Sequence, residues 1–248
     1  MRRIPWLAIG GLMALALIGG ASAVTRSVAV WRVLNGAPID ELSPQDAANM
    51  QTLATLARAD TGGPWLREAE ALTRAGGVRY NVVPITTLLH VVPGAVFLFA
   101  APLQLIPRFR TRRSGIHRRL GYVLLGLAIP YSLTGLFFSV HKPMFGPLAG
   151  LASGLAGLWF IFCAVRSYLA IRRQDIDRHR EWMLRALAVA YGIATVRIVF
   201  LVMVAVAPFN PMAMGVTSFW AGWLVATLPM EWWIRQTRRE QRALRWAS

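Results

Sequence analysis

The sequence predicts an all-α polytopic transmembrane bundle of about six spans, with both termini in the cytoplasm and a small helical cap on the periplasmic side. Three observations predict it. Of 248 residues, 56% are hydrophobic and 15% charged, with a mean hydropathy of +0.47, whereas soluble domains carry about 25% charge. That charge is concentrated between apolar runs of about 20 residues, long enough to cross about 30 Å of hydrocarbon. Finally, the arginines collect in alternate connections, the bias that holds basic loops in the cytoplasm.

A net charge of +16 invites a nucleic-acid reading, but the distribution excludes it, because the arginines flank long apolar stretches and serve as topology signals. Cys163 is the lone cysteine. No disulfide forms within one chain and no thiolate metal site can be assembled from it. It reads as a small packing residue.

The first apolar stretch covers residues 4–24, after Met1-Arg2-Arg3. The basic start and Ala21-Ser22-Ala23 fit a cleavable signal peptide. The length of the whole stretch favours an uncleaved anchor, so residues 1–25 are read as an N-terminal transmembrane anchor. Residues 26–82 form the periplasmic cap, in which six arginines balance six acids. Ser43 is placed as an N-cap with Pro44 in the first turn. That helix should continue over 47–59 and end at Gly62-Gly63. A second is expected over 65–75, ended by Gly76-Gly77.

Residues 83–234 form a five-helix bundle, with spans near 84–106, 119–140, 146–170, 183–207 and 213–234. Pro93, Pro102, Pro130 and Pro229 should kink their helices, which a membrane tolerates where neighbours satisfy the freed carbonyls. Residues 235–248 are read as a basic cytoplasmic tail. Segment 108–119 holds six arginines and no acid, segment 166–185 six against three acids, and the tail five against Glu240. The alternate connections, 141–145 and 208–211, hold one lysine between them. Every connection supports the same orientation in the cell inner membrane. Gly150, Ser153, Ala156 and Gly157 sit at a spacing that lets helices approach closely. They serve packing within the bundle, or contact with a second copy or a membrane partner.

Of the four histidines, His90 lies about 9 Å below the outer surface at about 1.5 Å per residue, and His141 ends its span at that face. His117 and His179 precede two spans on the cytoplasmic face. Two imidazoles towards each side is the arrangement that two bis-histidine haems require. Unequal depth of His90 and His141 weakens that reading against hydrogen-bonded or interfacial histidines. The cytoplasmic pair shares a pattern: His117-Arg118-Arg119 and His179-Arg180 each open a helix. Topogenesis accounts for the arginines. The sharper reading is an anion there, from anionic lipid at the cytoplasmic arginine loops or a cofactor carboxylate.

Arg197 stands between Val196 and Ile198, about fourteen residues into its span and too deep to snorkel easily. An arginine there is costly and marks a functional candidate. No span interior supplies an acid, and Glu231 lies at the wrong depth. Its partners are therefore backbone carbonyls, Tyr131 or another hydroxyl, an acid of the cap, or a ligand. An outer-leaflet pocket holding His90 and Arg197 follows, with a structural hydrogen-bond network as the alternative. His141 with Met144, Met212 and Met214 offers a weaker set for Cu(I). Phosphate loops, Ser-His-Asp sets and paired carboxylates do not occur in the spans, so ATP hydrolysis and acyl transfer have no support.

Three stretches carry a resemblance. They are His90 with Gly94 and Leu103-Gln104-Leu105; Pro107-Arg108-Phe109-Arg110 with Ile116-His117-Arg118-Arg119-Leu120-Gly121-Tyr122; and residues 175–185 with Trp182-Met183-Leu184-Arg185, followed by Arg197. Together they resemble the bacterial multi-spanning membrane proteins of domain-of-unknown-function family 2306, over about residues 84–200. The resemblance implies no activity. It implies that His90, His117, His179, Arg185 and Arg197 occupy the family's motif positions, the residues expected to bind any cofactor. Three classes remain: a haem- or quinone-linked redox protein, a transporter or lipid-binding protein using the His90 and Arg197 pocket, and an accessory subunit of a membrane complex.

Overall fold

The structure, a computed structural model, describes residues 6–60 and 63–246; Met1-Arg2-Arg3 and Gly62 lie outside them. Among the described residues all regular structure is helical. The helices are α1 (Trp6–Leu34), α2 (Pro44–Ala57), α3 (Pro64–Asn81), α4 (Pro84–Ala100), α5 (Pro107–Arg112), α6 (Ser114–His141), α7 (Gly146–Arg172), α8 (Ile176–Val206) and α9 (Pro211–Trp246), with a 3-10 turn over Pro102–Leu105. Among the described residues six segments are long and apolar enough to cross a membrane: Gly10–Leu34, Pro84–Leu105, Ser114–His141, Gly146–Arg172, Ile176–Val206 and Pro211–Arg239. The chain is an all-α multi-pass membrane protein.

Most helix ends that depart from expectation run on, while α4 and α2 stop short at Ala100 and Ala57. α1 continues through Ala21-Ser22-Ala23 to Leu34, and the hydroxyls of Ser22 and Thr25 donate to carbonyls of their own helix at 3.2 and 3.0 Å. α6 starts at Ser114, so His117 lies inside its first turn rather than before it. α8 starts at Ile176, capped by Asp175, whose carboxylate accepts from the Arg178 amide at 3.0 Å. α9 carries the expected basic tail onward as helix to Trp246. Pro102 does not kink a helix; it opens the 3-10 turn that ends α4, while Pro93, Pro130 and Pro229 lie inside helices.

In the cap, Ser43 caps α2 as predicted, its hydroxyl accepting from the Asp46 amide at 3.1 Å. Arg58, left-handed at φ 50°, ends the helix before the glycines. Gly76-Gly77 do not end α3, which runs through them to Asn81. Glycine costs about 1 kcal/mol in a helix interior, and here Met144 packs beside it: a Cβ on Gly76 would stand in ordinary contact with Met144 Cε at 3.5 Å. α3 thus lies against the bundle.

The cap closes one end of that bundle. Trp65 Nε1 donates to Phe209 O at 2.7 Å, Asn210 Nδ2 donates to both Glu68 oxygens at 2.9 and 3.1 Å, and Arg79 donates to Lys142 O. Connections 142–146 and 207–211 therefore share the cap end, and 101–113 and 173–175 share the opposite, arginine-rich end. A satellite core of Ala57, Val204 and Met214 fixes α2 to α8 and α9. The main core joins α1, α4, α6, α7 and α8 around Phe97, Leu124, Phe160, Leu187 and Tyr191. Tyr191 Oη donates to Leu98 O at 2.5 Å, and Cys163 is fully buried. The small-residue face of α7 packs on the chain's own α6: a Cβ at Gly150 would overlap Ser139 O, and Pro143 of the connection that follows, while one at Gly157 would press on the Leu136 side chain at 3.2 Å. Ser153 donates to Ala149 O of its own helix at 3.0 Å.

Candidate functional site

Two polar clusters interrupt this apolar frame, one towards each end. Near the cap, α4 and α6 bring His90 against Tyr131. The two rings stack with centroids 4.9 Å apart and planes at 16°, and Phe138 meets the imidazole edge-on at 5.7 Å. His90 Nδ1 is held by Tyr131 O at 3.1 Å and Thr134 Oγ1 at 3.2 Å. Thr134 reaches this position because its hydroxyl bonds Pro130 O at 2.5 Å, a carbonyl near the point where proline interrupts α6. The close approach also needs Gly135, where a Cβ would stand 3.2 Å from His90 Cε1.

Arg197 of α8 borders the same Tyr131. Its Nη1 donates to Ile193 O at 3.1 Å, one turn back on its own helix. Its electrostatic neighbours are Tyr131, Tyr80 and, repulsively, Arg26. Tyr80 lies 4.9 Å from Phe138, and the Arg26 and Arg79 guanidiniums stand over its ring at 5.2 and 5.6 Å. Arg26 also pairs with Asp46 at 3.6 Å. Burial holds the Arg79 guanidinium below its usual value; Tyr80 opposes that and Arg26 adds to it. Three arginines, two phenols and one imidazole thus converge, with one nearby carboxylate already engaged by Arg26. Of the partners expected for Arg197, a backbone carbonyl accepts a hydrogen bond and Tyr131 is an electrostatic neighbour, while Asp46 of the cap pairs with Arg26 instead.

At the arginine-rich end, Arg185 makes a two-point pair with Glu231, at 2.8 and 3.0 Å, and approaches Glu181 at 3.9 Å. Arg238 bonds Glu181, and Arg235 reaches Glu231 at 3.4 Å. The Arg185 and Arg166 guanidiniums lie over Trp182 at 4.7 and 5.4 Å. A cavity of about 680 Å³ opens beside this network.

The remaining sequence candidates are placed singly. His179 Nδ1 lies 2.8 Å from the Oγ of fully buried Ser167 and 3.1 Å from its carbonyl, tying α8 to α7. His117 buries its Nδ1 near the start of α6. His141, exposed, stacks on Phe137 and bonds its carbonyl, whereas His90 contacts Phe138, so the two imidazoles meet different rings. The methionine set is dispersed: Met214 is buried in the satellite core and Met144 sits against Gly76. Both amide atoms of Gln104 are buried without a hydrogen bond among the described residues. Arg26, Tyr80 and Thr134 were not legible as site residues. Their signal is tertiary, except that Thr134 follows Pro130 by one turn.

Comparison with known proteins places these residues. The sequence profile of the family described as Predicted membrane protein (DUF2306) matches residues 87–234, more than half of the chain. That stretch contains His90, Tyr131, Arg185, Arg197 and Glu231 and omits α1, α2 and α3. The chain is also 29% identical over 164 residues to the Ava biosynthesis cluster protein G of Aspergillus versicolor, covering 50% of this chain and 46% of that relative. It thus spans about half the length of the curated relative it matches. No solved structure matches the chain.

Proposed function

The chain belongs to the DUF2306 family of predicted membrane proteins, and from that premise we propose a membrane-embedded binding protein of the lipid-binding or transport class. Its ligand is an amphiphile with an anionic head group, held around His90 and Arg197. One observation supports this above the others. Arg197 offers five donors, yet among the described residues its one hydrogen bond goes to Ile193 O and it meets no carboxylate. A charge at membrane depth needs compensation, and an anionic head group supplies it. Both hydrogen bonds of His90 use Nδ1, which leaves Nε2 for the same ligand. The orientation that fits this reading puts the arginine-rich end in the cytoplasm of an inner membrane, with anionic lipids against its connections. The test compares dodecanoate with uncharged dodecanol on detergent-purified protein. Dodecanoate should raise the thermal midpoint more than dodecanol, and Arg197→Leu should erase the difference. Equal responses in the parent protein would discard the reading.

A second reading, haem-linked electron transfer, draws on the imidazoles. His90, His141 and His179 each place Nδ1 against a backbone carbonyl, at 3.1, 3.3 and 3.1 Å. That contact orients an axial imidazole and leaves Nε2 for iron. An oxidised-minus-reduced optical spectrum of protein purified from haem-replete cells decides it: reduced haem bands support it, and their absence from well-folded protein removes it.

A further inference from the structure

The cavity at the arginine-rich end, between α7, α8 and α9, lies about 18 Å along α8 from Arg197, counting twelve residues back to Arg185 at 1.5 Å each. It is therefore a separate site. Its charged lining is Arg166, Arg178, Arg185 and Arg238 against Glu181 and Glu231. The carboxylates are already engaged. Glu231 is bonded by Arg185 at 2.8 Å and Arg235 at 3.4 Å, and Glu181 is held by Arg238 with Arg185 at 3.9 Å. Among the described residues Arg166 has no such partner. Its guanidinium rests over Trp182 at 5.4 Å and Phe162 at 5.9 Å, so its in-plane donors stay open. Arg178 is 69% exposed and meets Asp175 at 3.3 Å. The cavity thus carries more positive than negative charge on an aromatic floor.

Beside that floor the lining is apolar: Trp159 meets Trp182 with ring centroids 6.2 Å apart. Trp159 of α7 and Leu228 of α9 line it and are 43% and 62% exposed, each within an apolar candidate span. We propose that this cavity binds the phosphate head group of an anionic phospholipid, with acyl chains leaving along Trp159 and Leu228. Arginine forks match phosphate oxygens in geometry, and stacking on Trp182 holds Arg166 ready at little entropic cost. A volume of about 680 Å³ suits a head group, since ligand cavities run to about 300–1,000 Å³. Basic clefts between membrane helices bind head groups in this way.

Native mass spectrometry of the full chain in mild detergent tests the proposal, with phosphatidylglycerol, phosphatidylcholine and glycerol 3-phosphate added in turn. Phosphatidylglycerol should be retained as one tight equivalent, well above phosphatidylcholine. Arg166→Gln and Arg178→Gln should each weaken it about fivefold, the factor expected for one basic contact near a membrane surface. Arg74→Gln, at the cap end, should not. Tight glycerol 3-phosphate binding that the same substitutions weaken would support the phosphate site and overturn the lipid source. Equal retention of the two lipids, or undiminished retention by both cavity variants with parental thermal midpoints, would overturn the proposal. Arg197→Leu leaves this cavity intact, so failure here and failure at the His90 and Arg197 site are separable.

Discussion

Arg185 of α8 and Glu231 of α9 face each other in a two-point pair, Nε to Oε2 at 2.8 Å and Nη2 to Oε1 at 3.0 Å, across 46 residues of sequence. The planar fork of arginine matches a carboxylate in this way, and lysine does not. The same guanidinium lies 4.7 Å over the Trp182 ring, which fixes its plane. Arg185 therefore clamps the two C-terminal spans at the arginine-rich end and shapes the wall of the cavity beside them.

Removing one partner strands the other in a partly buried place. Arg185 is 13% exposed and Glu231 32%, so solvent screens the pair in part. Glu231→Gln is expected to cost about 1–3 kcal/mol, less than a fully buried pair would. Arg185→Lys should cost a similar amount by losing the fork. Thermal unfolding in detergent measures both, and a double substitution gives the coupling. Singles indistinguishable from the parent would mean that the pair contributes no stability.

The spans were legible because apolar length is a local property, and the charge pattern of the connections agreed with it. Helix ends were less legible. Basic side chains extend past the apolar run while the backbone stays helical, so α6 and α8 begin one to two turns early and α9 absorbs the basic tail. Gly76-Gly77 look like a stop, yet α3 continues through them to Asn81 with Met144 beside Gly76. His90 and Arg197 stood out as costly residues in apolar surroundings. Tyr80 and Arg26 did not, since a phenol and an arginine are ordinary in a polar cap. Glu231 looked too shallow for Arg197, and only the pairing of α8 with α9 shows that it belongs to Arg185.

The cap and the connections at 142–146 and 207–211 share one end, which turns orientation into a single question. A reporter active only outside the cytoplasm should give signal when fused after Gly76. It should give none after Arg113 or Arg239, by the arginine bias of those ends. Signal from the Arg113 fusion would invert the orientation while leaving the fold unchanged.

Close packing of α7 on α6 predicts opposite outcomes for two glycines. A Cβ on Gly150 would overlap backbone atom Ser139 O, whereas one on Gly126 meets nothing within 4 Å. Gly150→Ala should therefore cost about 1–3 kcal/mol through overpacking. Gly126→Ala should be neutral or gain up to about 1 kcal/mol through helix propensity. Thermal midpoints of the two variants, measured side by side, check the contrast. A Gly150→Ala protein as stable as the parent would show that α6 and α7 are less tightly seated.

Arg197 separates binding from structure most sharply. Charge near the middle of a membrane costs about 2.5–3.5 kcal/mol even on the permissive insertion scale. The protein answers it with one carbonyl bond from Ile193 and the nearby phenols of Tyr80 and Tyr131, against repulsion from Arg26. That is thin compensation, because few protein acceptors would be stranded by its removal. Arg197→Leu is accordingly expected to leave the thermal midpoint unchanged or raise it, while abolishing the selective response to dodecanoate. Arg197→Lys keeps the charge but loses the five-donor fork, and its response should fall as well. A purely structural arginine behaves in the opposite way: its loss leaves buried acceptors unsatisfied, at about 1–3 kcal/mol for each, and the leucine variant unfolds early. A destabilised, poorly folded Arg197→Leu protein would return the residue to a structural role and take the His90 site with it.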